Sequence, residues 1–270
     1  MTCKGGEPVM TASRRVHTPA VAGNTDTSFL KMLALALMLT DHLGVVIFPH
    51  VPELRIIGRM ALPLYAWCLV VGSQKTRSMP RYCLRMLALA VVSQPLYMLA
   101  LNHTWTDLNI LFLLLLGLIA IWGIQSRFLL SQFWAPALCY VALGFCKVDY
   151  GWKGLTFILL LYLARDSRRG LIGAYLAYAL FWGSTSSAVT NLFGWPLSFL
   201  SWPGIGTVLG AFFRLQGMIW LSLPLIVCQT HMNWRVPKWF GYAAYPLHLV
   251  LLALLRLALG TPLSTLIAGF

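Results

Sequence analysis

Apolar residues in this chain run in long blocks, separated by short clusters of charge, glycine and proline, and show no strand-like alternation. A hydrocarbon core about 30 Å thick takes roughly 20 helical residues, so blocks of this length predict membrane spans. Nine occur, near 29–48, 56–73, 84–101, 108–125, 128–146, 150–164, 170–187, 211–229 and 239–259. They predict an all-α, polytopic transmembrane bundle of about nine helices, with 150–164 short for a full crossing. Residues 188–210 are also apolar, but Pro196, Pro203 and four glycines break them. That segment is expected to be re-entrant or interfacial, which is tolerable only where protein or a wet cavity satisfies its backbone. Residues 1–28 lack the apolar core of a secretory signal. They are expected to form a disordered, basic cytoplasmic tail ahead of a single membrane domain, 29–270, with Met1 or Met10 as the start.

Composition points the same way. Of the 270 residues, 59% are hydrophobic and 10% charged, against about 25% charged in soluble domains. The formal charge is +13, with 20 Lys and Arg against 7 acidic residues. In a soluble protein this excess would suggest nucleic acid. Here the bases lie between apolar blocks, as topology signals do, so no nucleic acid is expected. With nine spans and a cytoplasmic N-terminus, 14 of the 20 bases fall inside. They are Lys4, Arg14, Arg15, Lys31, Lys75, Arg77, Arg81, Arg85, Arg127, Arg165, Arg168, Arg169, Arg235 and Lys238. The outer ends and the last helix keep Arg55, Arg59, Lys147, Lys153, Arg214 and Arg256. A tenth crossing in 188–210 would weaken this asymmetry. The six cysteines form no CxxC pair and no zinc-type spacing, so neither a disulfide framework nor a metal is expected.

Depth then locates the polar residues. Asp41 and His42 lie about seven residues from the outer end of the first span, about 10 Å in. Gln94 sits at a similar level, Arg55 and Arg59 are one turn apart at the outer start of the second span, and Arg214 and Gln216 open the eighth. His248 is near the middle of the ninth, and the outer loops hold His103, Asp107, Asn109, Asp149 and Tyr150. Ionisable groups inside lipid are costly and normally face a partner or a cavity, so this outer-side cluster is the chain's main functional signal. Neighbours on a helix point apart. Asp41 is therefore expected to pair with Arg55, Arg59 or Arg214, leaving His42 free to titrate. Plainer readings exist: an Asp–His structural lock, snorkelling arginines, a packing role for His248, and repair of the Pro95 kink by Gln94. Lys75, Arg77 and Arg81 act as topology determinants or as a patch for an anionic cytosolic ligand. No Walker A loop, GxGxxG, HExxH or GxSxG sequence occurs. Three classes remain: an enzyme with a histidine base and arginine electrostatics, a transporter or channel using the Asp/His/Arg cluster, and a non-catalytic structural or assembly protein.

Five stretches carry a resemblance. Leu39-Thr40-Asp41-His42-Leu43-Gly44 and Arg55-Ile56-Ile57-Gly58-Arg59-Met60-Ala61-Leu62-Pro63-Leu64 resemble the TraX family, the conjugative-pilin acetylases. Ser93-Gln94-Pro95, Asp149-Tyr150-Gly151 and Tyr245-Pro246-Leu247-His248-Leu249 follow in the family's order. The likeness covers roughly residues 28–260, and a more distant one extends to membrane acyltransferases that O-acetylate surface glycans. It implies a multi-pass protein of the bacterial cytoplasmic (inner) membrane, surrounded by lipid. Its co-substrate would be cytosolic acetyl-CoA, and its acceptor an extracytoplasmic pilin or surface glycan. By this resemblance His42 is the general base, Arg59 and Arg55 stabilise the oxyanion, and Asp41 balances their charge. Lys75, Arg77 and Arg81 would draw in the coenzyme A phosphates. Gln94, Asp149, Tyr150, Arg214, Gln216 and His248 would support the site. Segment 188–210 does not match the family's pattern.

Overall fold

The computed structural model describes residues 21–260 apart from Thr190, Gly194, Pro203, Asn233 and Arg235. Expectations for residues 1–20, with Met10, and for Arg235 lie outside the described residues.

The chain folds into helices that run back and forth between two ends of a bundle. Helix α1 (Thr27–Val46) starts where the Asp26 side chain accepts from the Phe29 amide, satisfying a donor that the first turn leaves free. Helices α2 (Pro52–Gly58) and α3 (Ala61–Lys75) form one unit of 24 residues, Pro52–Lys75. Helix α4 (Met79–Leu101) starts with proline in its first turn and stops at Asn102, which is left-handed at φ 58°. Strand β1 (Asp107–Leu108), helix α5 (Ile110–Ser126), helix α6 (Ser131–Phe145) and strand β2 (Lys147–Val148) follow. The two strands pair in parallel, Asp107 opposite Lys147, and tie the α4–α5 and α6–α7 connections together. Then come α7 (Gly151–Ala164), α8 (Arg168–Ser184), an antiparallel pair β3 (Asn191–Leu192) and β4 (Trp195–Pro196), α9 (Ile205–Phe212), α10 (Leu223–Val227) and α11 (Lys238–Ala258).

Among the described residues, five helices are long and apolar enough to cross a membrane: Thr27–Val46, Pro52–Lys75, Met79–Leu101, Phe128–Phe145 and Trp239–Ala258. The other four expected spans fall on shorter helices. Helices α5 and α8 have 17 residues each and α7 has 14. The expected span 211–229 shrinks to Gly217–Val227, because Arg214 bridges to Ala188 in a β-type contact before the helix can begin. Segment 188–210 holds a hairpin and the start of an eight-residue helix. Such a helix rises about 12 Å, too little to cross.

The tail expected to be disordered to residue 28 is ordered from residue 21. Asn24 is fully buried, donates to the Leu225 carbonyl at 2.9 Å and accepts on its own carbonyl from the Trp67 indole at 2.7 Å. Trp67, on the enclosed helix α3, is itself fully buried, so ordering this strap completes its polar end. Outward faces of α4 (Val91, Val92), α6 (Phe133, Phe145) and α11 (Leu251, Leu254) leave large apolar side chains more than half exposed. A surface of that kind fits lipid and not water.

Bases sort by end. The Lys75 ammonium donates to the Thr25 carbonyl at 3.4 Å, and the Arg165 carbonyl accepts from the Ala22 amide at 2.8 Å, at the end where α1 starts. Arg55, Arg59, Lys147, Lys153 and Arg214 lie at the opposite end. There α1 meets α2 across two glycines. A Cβ on Gly44 would meet Leu54 at 2.8 Å, and one on Gly58 would meet the Cβ, Cα and Oδ1 of Asp41. Small residues allow this approach. Gly58→Ala should lower the unfolding free energy by about 1–3 kcal/mol in detergent. Gly173→Ala, where a Cβ meets nothing within 4 Å, should cost nothing and gain up to about 1 kcal/mol in the interior of α8.

Candidate functional site

The glycine contact sets Asp41 against the start of the second span. Its Oδ1 lies 3.5 Å from Arg55 Nε and 3.6 Å from Arg59 Nη2. Arg59 is buried at 7% exposure and Arg55 is part-exposed at 35%, so snorkelling describes at most Arg55. The Asp41 Oδ1 and both arginine Nε atoms are buried without a hydrogen-bond partner among the described residues. Their separations exceed a good hydrogen bond, so the contact is an ion pair more than a hydrogen bond.

His42, the next residue on the helix, lines the same cavity but meets different partners. Its Nδ1 lies 3.3 Å from His248 Nε2, and the two rings stack with centroids 5.3 Å apart. One proton at most fits between those two nitrogens, so each ring fixes the tautomer of the other. Tyr245, one turn before His248, meets its ring edge-on at 5.0 Å.

The α6–α7 connection closes the site. The Tyr150 hydroxyl accepts from Arg59 Nη1 at 2.9 Å, and its ring meets Trp182 edge-on. Tyr150 is held at φ 62°, a left-handed conformation that costs a non-glycine residue about 1–2 kcal/mol. The Arg59 and Trp182 contacts hold it there. Next to it, Asp149 Oδ2 accepts from the Tyr97 hydroxyl at 3.3 Å, and His103 stacks on Tyr97 at 4.7 Å. Burial raises the Asp149 carboxyl above the usual carboxylate range, while His103 and Arg59 pull it down. Asp107 goes the other way: Lys147, at 2.6 Å, and Thr104 hold its carboxyl well below that range.

These side chains surround a cavity of about 210 Å³, lined by Asp41, His42, Arg55, Arg59, Asp149 and Tyr150. Tyr65, Tyr97, His103 and Tyr245 complete its polar wall. The sequence reading named the first six as site residues and left out Tyr65 and Tyr97, which sit in apolar blocks and differ from lipid-facing aromatics only by helical face. His248 reaches the cavity through His42.

Three expected residues do other work. The Gln94 side-chain Oε1 accepts from the Asn109 backbone amide and side chain, while its Nε2 donates to the Asp107 carbonyl at 2.8 Å, clamping the α4–α5 connection. Arg214 donates to the carbonyls of Ser184 and Ser186, holding the end of α8. The Gln216 backbone amide donates to Ser186 Oγ at 3.2 Å, while its side-chain Oε1 is buried with no partner among the described residues. Their depth matched the site, but their azimuth did not. Lys75, Arg77 and Arg81 are exposed at the far end of the bundle.

Comparison with known proteins gives a family. The pattern of the TraX family, described as TraX protein, matches residues 26–256, which take in the whole cavity wall. The chain is 27% identical to an uncharacterized protein of Rickettsia prowazekii (strain Madrid E) over 149 residues, 53% of this chain and 57% of that one. It is 32% identical to a probable fimbrial assembly protein FimC, serogroup H1, of Dichelobacter nodosus over 167 residues, 56% of this chain and 67% of that one. The matches thus span between just over half and two thirds of these relatives. No solved structure matches.

Removing one member of a buried ion cluster strands the others, at about 3–5 kcal/mol. Arg59→Leu should cost that much in unfolding free energy. In an Asp41→Asn background the cost should fall by about 0.5–3 kcal/mol. Equal costs in the two backgrounds would mean the pair is not coupled.

Proposed function

The chain belongs to the TraX family, and on that premise we propose that it is a membrane acetyltransferase. It moves acetyl from cytosolic acetyl-CoA to an acceptor beyond the bacterial cytoplasmic membrane. The first acceptor to test is the N-terminal amine of a pilus subunit, since one relative is named for fimbrial assembly. Another surface protein or a glycan hydroxyl would enter the same chemistry. The observation that carries the reading is the meeting of a histidine and two arginines in the wall of one cavity.

Each group has a role there. The acceptor nitrogen attacks the thioester carbonyl carbon as His42 takes its proton. The carbonyl oxygen gains negative charge beside Arg59 and Arg55, preorganised by Asp41 and Tyr150 in a water-poor site. The carbon–sulfur bond then breaks, and the coenzyme A thiolate leaves and takes the proton back from His42. Amine and thioester become amide and thiol. His248 fixes the His42 ring, and Asp149 with Tyr97 shapes the opposite wall. Lys75, Arg77 and Arg81 gather the coenzyme A phosphates at the cytosolic end.

His42→Ala should lower acetyl transfer by about 10²–10⁴-fold, with the thermal midpoint unchanged. The readout is labelled acetyl-CoA turnover by purified protein in nanodiscs. Undiminished transfer would remove His42 as the base. Proton or solute flux in the absence of any acetyl turnover would favour a transporter.

A further inference from the structure

A second cavity, of about 390 Å³, lies among α1, α3, α4, α5 and α11. Along α1 its wall uses Ser28, Lys31, Met32 and Leu35, and the site cavity continues with Met38, Asp41, His42 and Val45. Steps of three and four residues put all eight on one helix face. Helix α4 repeats the pattern, with Tyr82, Met86 and Leu89 on the larger chamber and Tyr97 and Leu101 on the site. Tyr65, Ile110 and Tyr245 line both chambers, so they stand between them. From Lys31 to His42 the helix rises about 16 Å.

We propose that this chamber is a channel for the pantetheine arm of an acyl-CoA. It enters at the end of the bundle marked by Lys31, with Tyr65, Ile110 and Tyr245 as a collar around the thioester. The proposal rests on the acetyltransferase reading and adds where the donor lies. Three observations favour this occupant over a lipid chain. The chamber adjoins the site across three shared wall residues, which a lipid-filling void has no need to do. Its Lys31 end is cationic: Lys31 is exposed, and Lys75 reaches the Thr25 carbonyl just before α1. That suits the phosphates of the coenzyme head. Two wall tyrosines, Tyr65 and Tyr82, have no hydrogen-bond partner among the described residues. A hydrocarbon chain would leave those hydroxyls unmet, whereas the two amides of the arm satisfy them.

Two substitutions narrow the channel away from the site. They are Gly241→Leu, where a Cβ meets nothing within 4 Å, and Met86→Trp. A third variant, Tyr65→Phe with Tyr82→Phe, keeps the shape and removes the hydroxyls. Equilibrium binding of acetyl-CoA, and of its arm-less head 3′-phospho-ADP, is measured on the full chain in nanodiscs, with thermal midpoint and bound phospholipid followed alongside. The channel predicts acetyl-CoA binding about tenfold weaker in the narrowed variants, the equivalent of about 1.4 kcal/mol. The hydroxyl-less variant should bind acetyl-CoA several-fold more weakly, and head binding and midpoint should stay unchanged in all three. Unchanged acetyl-CoA affinity in folded variants, with or without loss of phospholipid, overturns the channel and leaves the acetyltransferase reading standing. Wild-type protein that binds no acetyl-CoA overturns both.

Discussion

Asp41, buried against Arg55 and Arg59, is the interaction on which the rest of this structure depends. A carboxylate alone inside lipid is costly enough that the chain must bring a cation to it or give up the charge. The cations arrive because Gly44 and Gly58 let the second span start in contact with the first. Arg59 then has a hand free for Tyr150, which draws in the α6–α7 connection despite its left-handed backbone. One buried charge thus sets the geometry of three segments distant in sequence.

That geometry has a chemical consequence. With Asp41 engaged by the arginines, His42 beside it meets His248 from the last described helix. The site therefore holds fixed cations on one wall and a proton acceptor on another, with a volume between them. Such an arrangement stabilises an anion that appears only as a proton leaves, which is the demand of acyl transfer. The residues lie at the end of the bundle opposite Lys75 and Arg165, so under the proposed reaction a donor held at the basic end has to reach across most of the helix length.

Much of this could be read from the residues, and the failures have physical reasons. Every expected apolar block has a helical counterpart, since a helix satisfies its own backbone in lipid within one segment. Lengths were less legible. Arg214 pairs with the backbone near Ala188, and so the eighth block begins late. The strap at Asn24 gave no sign of order, because its partners, Leu225 and Trp67, lie far away in sequence. In the site, depth counting gathered Asp41, His42, Arg55, Arg59, Asp149 and Tyr150, which line one cavity. It also gathered Gln94 and Arg214, which lie at a similar level and spend their bonds on loop carbonyls. Level follows from rise per residue, while facing direction depends on how helices pack, and Tyr65 and Tyr97 were missed for that reason.

The central claim is that acetyl taken up at the basic end is delivered at the His42 end. Sealed vesicles of inverted and of right-side-out orientation, given acetyl-labelled acetyl-CoA that cannot cross the bilayer, test it directly. The account predicts protease-protected, lumenal acetylated product in inverted vesicles and none in right-side-out ones. Label appearing only on material at the face where acetyl-CoA was added would contradict it.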